Sequence, residues 1–241
     1  MPYRKEQFVN GEIYHLVLRG IDDNLIFKDI NDYYRGIFSI YEFNTTKPIT
    51  IQKRRKIRAR IKKTIRDSGR DPVSTSDERD KLVDILAFCF MPNHIHLLVK
   101  QLKDEGIVKF MNKLGAGYGG YYNRKYKRKG YVFQNRFSAV HIKDNNQLKI
   151  VFVYIHTNPT AFIESKWKEK GIKESQKVIK FLEDYKWSSY QDYIGKKNFP
   201  SVTERDFILE VMQKEQGCKE FVDYWIKYKG KIREFAELVL E

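Results

Sequence analysis

Residues 82–100 read Leu-Val-Asp-Ile-Leu-Ala-Phe-Cys-Phe-Met-Pro-Asn-His-Ile-His-Leu-Leu-Val-Lys. The rest of the predicted fold is built around this stretch. Its first half, residues 82–91, is apolar and predicts a buried strand. Pro92-Asn93 predicts a turn, and residues 94–100 alternate as a second strand. The sequence therefore predicts that the two strands form a β-hairpin.

The second strand of this hairpin carries the pair His94 and His96. Side chains alternate between the faces of a strand, so both imidazoles point the same way, about 7 Å apart at Cα. Ile95 and Leu97 then point into the core on the other face. Two imidazoles on one face can hold one metal ion, although a His-X-His pair by itself is more often two packed or surface histidines.

The segments on either side of the hairpin complete the architecture. Residues 12–19 predict a strand, Asp32 is expected to cap a helix, and residues 131–142 predict a strand or extended loop. Helices are expected over 104–127, where the glycines permit close packing, and over 144–158, with Asp144 as N-cap. Residues 163–183 read as a Lys/Glu-rich connector, and Thr203 to Asp206 resembles a capping box. This order predicts an α+β fold, with helices on one face of an antiparallel sheet.

The predicted helix over 144–158 has two distinct sides. Its apolar face comprises Leu148, Val151, Phe152 and Ile155. Gln147, Tyr154 and Asn158 form a polar stripe beside that face, whereas His156 points elsewhere. The ordinary alternative is that Tyr154 is one of many boundary tyrosines, since the chain has 16.

Composition restricts the class of partner. Lys and Arg number 46 against 31 Asp and Glu in 241 residues, a net charge of +15, which favours a polyanion such as nucleic acid. Aromatic residues make up 15%, too many for a disordered basic tail. No apolar run is long enough to span a membrane, and no apolar signal core opens the chain. Two cysteines, Cys89 and Cys218, give no disulfide framework or cysteine zinc site and favour a reducing cytoplasm.

Two basic segments are candidates for binding phosphates. The run from Lys53 to Arg66 includes Arg54, Arg55 and Arg58 and lacks acidic residues. In the second segment, Arg124, Lys125 and Arg128 interleave with tyrosines, a pattern that suits a single strand whose bases stack on aromatic rings. For both segments a solvated charged helix is the alternative.

Four blocks of the sequence resemble the single-tyrosine HUH transposases. They are Phe90 to Val99, with its His-Ile-His; Gly130 to Phe137, Gly-Tyr-Val-Phe-Gln-Asn-Arg-Phe; Tyr154 to Ala161, Tyr-Ile-His-Thr-Asn-Pro-Thr-Ala; and Tyr185 to Tyr190, with its Trp-Ser-Ser. They occur in the family's order and span roughly residues 8–193. The resemblance is strongest to the branch called REP-associated tyrosine transposases.

The resemblance implies a ferredoxin-like fold and cleavage of single-stranded or hairpin DNA through a 5′-phosphotyrosine link. It carries the nucleophile onto Tyr154 and the metal ligands onto His94, His96 and Asn158. Mn²⁺ suits the nitrogen ligands and Mg²⁺ is abundant, with zinc as the alternative. Gln134 and Arg136 are expected to contact a phosphate or base, or else to hold a neighbouring loop.

The organisation expected from the sequence is a transposase domain over residues 1–195 with a basic insert near 47–80. A helical C-terminal extension over 196–241 carries no recognised motif. The predicted activity is that of a DNA endonuclease and strand transferase, acting as a monomer or homodimer. The alternative is a non-catalytic regulator that keeps the fold and binds nucleic-acid hairpins.

Overall fold

Four strands form the sheet of this protein. The computed structural model describes residues 7–52, 54, 56, 59, 77, 79–134 and 136–228. The strands are β1 (Ile13–Arg19), β2 (Val83–Met91), β3 (His94–Gln101) and β4 (Ser138–Ile142). They pair antiparallel in the order β2-β3-β1-β4. The predicted α+β class and the hairpin of β2 and β3 are confirmed, with β3 inside the sheet and β2 at its edge.

Helices separate and follow these strands. The longer ones are α1 (Ile30–Glu42), α2 (Gly106–Lys125), α3 (Asn145–Thr157), α5 (Ser175–Asp184) and α8 (Lys214–Tyr228). The short ones are α4 (Trp167–Lys170), α6 (Tyr190–Tyr193) and α7 (Asp206–Val211). The order β1-α1-β2-β3-α2-β4 is the ferredoxin-like βαββαβ unit that the resemblance implied. No helix in the described residues has the length and apolar character needed to cross a membrane.

The sheet is covered on both faces, whereas the sequence order predicted helices on one face only. In the βαββαβ unit, α1 and α2 do pack on a single face, around Leu16, Phe88 and Leu97. The other face is covered by α3 together with α5, α7 and α8. The physical reason is that β2 is apolar on both sides, so both sides must be removed from water.

Several local expectations were wrong in detail. Asp29, not Asp32, is the N-cap of α1, and Asp32 closes the capping box as its third helical residue. The connector over 163–183 contains α4 and α5, whose Trp167 and Leu182 are buried. The first residue of α7 follows Arg205 without a side-chain cap, so the capping box expected at Thr203 is absent.

The C-terminal helices share a core with the sheet. Ile208 of α7 and Val222 and Trp225 of α8 are buried in the cluster that includes Phe152 of α3. The described part of the expected extension over 196–241 therefore packs behind α3. Residues 229–241 lie outside the described part.

Two glycines of α2 predict opposite responses to alanine. A Cβ on Gly117 would meet the Phe43 ring at 2.1 Å, whereas one on Gly115 would meet nothing within 4 Å. Gly115→Ala should raise the free energy of unfolding by about 0.5–1 kcal/mol through helix propensity. Gly117→Ala should lower it by about 1–3 kcal/mol through overpacking. Urea unfolding measures both, and equal midpoints would contradict the close approach of α2 to Phe43.

Candidate active site

A cleft of about 640 Å³ lies where β1 ends and where β3 and β4 begin, beside the C-terminal end of α3. The residues that line it are Val17, Arg19, Asp23, Met91, His94, His96, Gln134, Ser138, Tyr154, Asn158, Ala161 and Lys168. This one depression brings together the two histidines, the tyrosine and the asparagine that the sequence singled out.

The two histidines lie on the sheet face that α3 covers. His94 pairs with Arg19 and His96 with Val17 across the β1–β3 ladder, and their ring centroids are 4.8 Å apart. Ile95 and Leu97, which alternate with them, are fully buried in the opposite core. The predicted alternation of faces is confirmed.

Each histidine has one ring nitrogen held by a neighbour. His94 Nδ1 donates to Asn93 Oδ1 at 2.7 Å, which leaves Nε2 as its lone-pair nitrogen. His96 Nδ1 lies 3.0 Å from His15 Nε2, and the two rings stack. Burial lowers the pKa of His94 and His15 to about 3 and that of His96 well below its usual value. All three are therefore neutral at physiological pH.

Tyr154 faces this pair from α3. Its side chain is only 1% exposed, and its ring centroid lies 5.6 Å from that of His96 and 5.9 Å from that of His15. Burial raises the pKa of the phenol above its ordinary value, and a hydrogen bond with Asn158 opposes that shift. The hydroxyl therefore stays protonated until another group removes the proton.

Asn158 continues the turn of α3 despite the proline that follows it. Its backbone is helical, with φ −51° and ψ −39°, and a 3₁₀ helix over Asn158–Phe162 follows with Pro159 near its start. At Pro159 the chain thus changes from an α-helix to a 3₁₀ helix. The Asn158 Nδ2 donates to the Tyr154 carbonyl at 2.8 Å, so its oxygen remains the atom suited to a metal.

These residues fit a divalent ion. The His96 Nε2 atom is buried and has no hydrogen-bond partner, although a buried polar atom usually has one. If His96 Nδ1 donates to His15, that Nε2 presents a lone pair to the cleft. Within the described residues no three His, Cys, Asp or Glu side chains are placed to hold a metal ion together, so an ion here would take a third ligand of another type, such as the Asn158 amide. Two imidazoles and an amide oxygen suit Mn²⁺ or Mg²⁺.

The other histidine and glutamine of α3 have structural contacts. His156 is fully buried, and its Nε2 lies 2.8 Å from Ser189 Oγ. Gln147 accepts a hydrogen bond from the Lys143 backbone and does not line the cleft. Of the predicted polar stripe, only Tyr154 and Asn158 reach the site.

Among the described residues that were expected to contact DNA, Gln134 is the one that lines the cleft, and its backbone N–H donates to the Arg19 carbonyl at 2.9 Å. Lys125 Nζ lies 2.6 Å from carboxylate oxygens of both Asp29 and Asp32. Arg54 Nε lies 3.2 Å from the buried Glu42. Both cations are thus engaged within the protein.

The remaining predicted DNA contacts either do not line the cleft or lie outside the described residues. Arg128 stands 5.6 Å from the ring centroid of Tyr122, and the tyrosines of that segment donate inward, as in the bond from Tyr126 to Asp32. The other four are Arg124 in the last turn of α2, Arg136 just before β4, and Arg55 and Arg58 of the basic insert, the last two outside the described residues.

Sequence reasoning missed His15 and Lys168. His15 lies in the predicted first strand, but its contact with His96 depends on the register between β1 and β3. Lys168 lies in the segment expected to be a connector, and its Nζ is 3.4 Å from the Tyr154 hydroxyl. No local pattern distinguishes Lys168 from the other lysines around it.

The cleft and the βαββαβ unit agree with the comparison to known proteins. Residues 46–158 match the family model for "Transposase IS200 like", and the matched range contains His94, His96, Tyr154 and Asn158. This part of the chain is therefore similar to IS200-like transposases. His15 and Lys168 lie outside the matched range.

Two solved structures are similar to the chain. One is a REP-associated tyrosine transposase bound to a REP hairpin, with 14% identity over 86% of this chain and 93% of that one, and a TM-score of 0.39. The other is a candidate transposase from Deinococcus radiodurans R1, with 12% identity over 62% of this chain and 92% of that one, and a TM-score of 0.32. No curated protein sequence matches the chain significantly.

The contact between His15 and His96 predicts an effect on metal affinity. His15→Leu should weaken Mn²⁺ binding about 10- to 100-fold, because His96 loses the partner that orients its ring. Calorimetric titration of the DNA-free protein measures the change. His141→Leu is the matched control, because His141 contacts Glu12 on an exposed part of β4. Equal affinities in the two variants would contradict the role of His15.

Buried neutral histidines predict a loss of stability in acid. The unfolded chain takes up protons near pH 6.5, whereas His156 in the folded protein has a pKa of about 3. The free energy of unfolding should therefore fall as pH falls from 6.5 toward 3, by about 1.4 kcal/mol per pH unit for each such histidine. Urea unfolding between pH 7 and 5 measures how the free energy of unfolding changes with pH. For His156→Gln this slope should correspond to about one proton fewer than for the native chain. An unchanged slope would show that His156 titrates normally.

Proposed function

We propose that this protein is a metal-dependent endonuclease and strand transferase that acts on single-stranded or hairpin DNA through a 5′-phosphotyrosine intermediate. The observation that carries the proposal is the meeting of Tyr154, His94, His96 and Asn158 in one cleft of a basic protein. The IS200-like transposase match over the same residues supports it.

Tyr154 supplies the nucleophile in this proposal. Its hydroxyl oxygen attacks the phosphorus, the bond to the 3′-oxygen breaks, and a 3′-hydroxyl is released. The resulting tyrosine phosphodiester keeps the energy of the bond that was cleaved, so a DNA 3′-hydroxyl can reverse the attack without ATP. Because α3 fixes Tyr154 against the sheet, the oxygen is held in position before substrate arrives.

The ligands proposed for the metal are His94 Nε2, His96 Nε2 and the Asn158 side-chain oxygen. A bound Mg²⁺ or Mn²⁺ would neutralise charge on the scissile phosphate and favour in-line geometry. The chain's part is to keep both imidazoles neutral by burial and to orient them through Asn93 and His15. Neutral imidazole is the form that ligates metal.

DNA binding is proposed to draw on the net charge and on residues at the rim of the cleft. Arg19 and Gln134 line the cleft, and Arg136 follows Gln134 closely in the chain. We assign the extended grip on phosphates to Arg124, Arg128 and the basic insert with Arg55 and Arg58. Lys125 and Arg54 are less suited to it, because each already pairs with a buried carboxylate within the protein.

The decisive experiment asks whether a covalent adduct with a hairpin oligonucleotide survives SDS. Tyr154→Phe should abolish the adduct and leave DNA affinity nearly unchanged, because only a hydroxyl is lost. His94→Ala, His96→Ala and EDTA should each stop cleavage while hairpin binding persists. Gel electrophoresis of labelled oligonucleotide with Mn²⁺ measures the adduct.

Tyr190→Phe is the matched control for the tyrosine. Its hydroxyl is buried in the core beside α3 without a hydrogen-bond partner, so its loss tests packing alone. An adduct in Tyr154→Phe would assign the nucleophile to another tyrosine, and undiminished cleavage in EDTA would overturn the metal. Hairpin binding by the native chain without any adduct would favour the non-catalytic regulator.

A further inference from the structure

Lys168 is the amine nearest the hydroxyl of Tyr154 among the described residues. Its Nζ lies 3.4 Å from the Tyr154 oxygen and 5.2 Å from the centroid of that ring. It projects from the short helix α4 into the same cleft as the histidine pair. A nitrogen in this position can exchange a proton with the hydroxyl.

The position of Lys168 is fixed by its neighbour in the chain. Trp167 is 1% exposed in the core behind the cleft, and the backbone of Gly171 donates back to Trp167 at 2.9 Å. The buried indole therefore anchors α4. Lys166 and Lys170, on either side, are exposed and do not line the cleft.

The surroundings of Lys168 favour the neutral form of its amine, compared with a lysine side chain in water. Burial and the nearby Arg19 guanidinium lower the pKa of Lys168 to about 8. The charged or titratable groups that face the cleft with it are Arg19, Asp23, His94, His96 and Tyr154. Asp23 is paired with Arg19 at 3.0 Å, and both histidines are neutral at this pH. Lysines brought near neutrality in this way are typical proton acceptors.

We propose that Lys168 is a catalytic residue that accepts the phenolic proton of Tyr154 during cleavage and returns it during rejoining. This inference rests on the proposed function. As the Tyr154 oxygen bonds to phosphorus, its proton moves to the Nζ lone pair and Lys168 becomes an ammonium. The bond from phosphorus to the 3′-oxygen breaks with its electron pair on that oxygen, which takes a proton from water. Rejoining reverses each transfer.

Two substitutions distinguish a role of Lys168 in proton transfer from a role of its positive charge. Lys168→Met removes the amine with little change in shape, and Lys168→Arg keeps a cation that cannot be deprotonated in proteins. With saturating hairpin and Mn²⁺, both should slow single-turnover adduct formation by about 10²- to 10⁴-fold, with little change in hairpin affinity. Lys170→Met should react at the native rate. Native-like adduct formation in Lys168→Arg would overturn the proposal and leave Lys168 as a simple cation.

A more acidic phenol at position 154 tests the same step chemically. Replacing Tyr154 by 2,3-difluorotyrosine should restore about tenfold of the rate lost in Lys168→Met, because a more acidic phenol depends less on a base. The same replacement should change the native rate much less. A purely structural defect in Lys168→Met would not respond to the acidity of the phenol, and that result would overturn the proposal.

A measurement without DNA or metal keeps this inference separate from the proposed function. With 3-fluorotyrosine at position 154, the ¹⁹F resonance should shift in a step with a midpoint near pH 8, as Lys168 loses its proton. Lys168→Met should remove the step, and Lys170→Met should keep it. A step unchanged by Lys168→Met would overturn the inference whether or not the protein cleaves DNA. If this step behaves as expected but the native chain forms no adduct when hairpin DNA and Mn²⁺ are supplied, the proposed function is overturned instead.

Discussion

The antiparallel pairing of β1 with β3 is the constraint on which the rest of the site depends. Its register sets Val17 opposite His96 and Arg19 opposite His94. The same register brings His15, which lies two residues before Val17 on the same face of β1, against the His96 ring. Because both strands lie inside the sheet, hydrogen bonds on each side hold them, and the histidines cannot shift along the strand without breaking the ladder. The two imidazoles thus stand on a rigid platform.

Burial gives this platform its chemistry and also imposes a difficulty. Covering the second face of the sheet with α3 removes the histidines from water and keeps them neutral, the form that binds metal. The same covering raises the pKa of Tyr154, which makes the proposed nucleophile harder to ionise. The proposed cleavage would therefore need both a cation at the phosphate and a group that receives the proton. Lys168 is placed for the second task.

The helices after α3 act on the site from behind. Trp167, which anchors the helix that carries Lys168, belongs to the same buried cluster as Phe152 of α3 and Trp225 of α8. A substitution in this distant core could therefore alter the cleft through α4 without touching it. The C-terminal region of the chain is in this sense part of the support of the site.

The sequence by itself determined the features that rest on local periodicity. The hairpin, the shared face of His94 and His96, and the helix from Asp144 followed from apolar alternation and capping, which neighbouring residues control. The four blocks also led to Tyr154 and Asn158, because the order of motifs can be seen in a sequence without any knowledge of its geometry. Neighbouring residues were enough to predict the hairpin and the helix, whereas Tyr154 and Asn158 came from the resemblance to a known family.

Only the tertiary structure decided which distant groups meet. The contact of His15 with His96 follows from strand register, and that of Lys168 with Tyr154 from the burial of Trp167. Lys125 was a candidate DNA contact by composition, yet it neutralises the buried Asp32, because a charge withdrawn from water requires a partner. Charge and spacing are properties of the chain. Burial, which sets pKa values and pairs charges, arises only when the two faces of the sheet are covered.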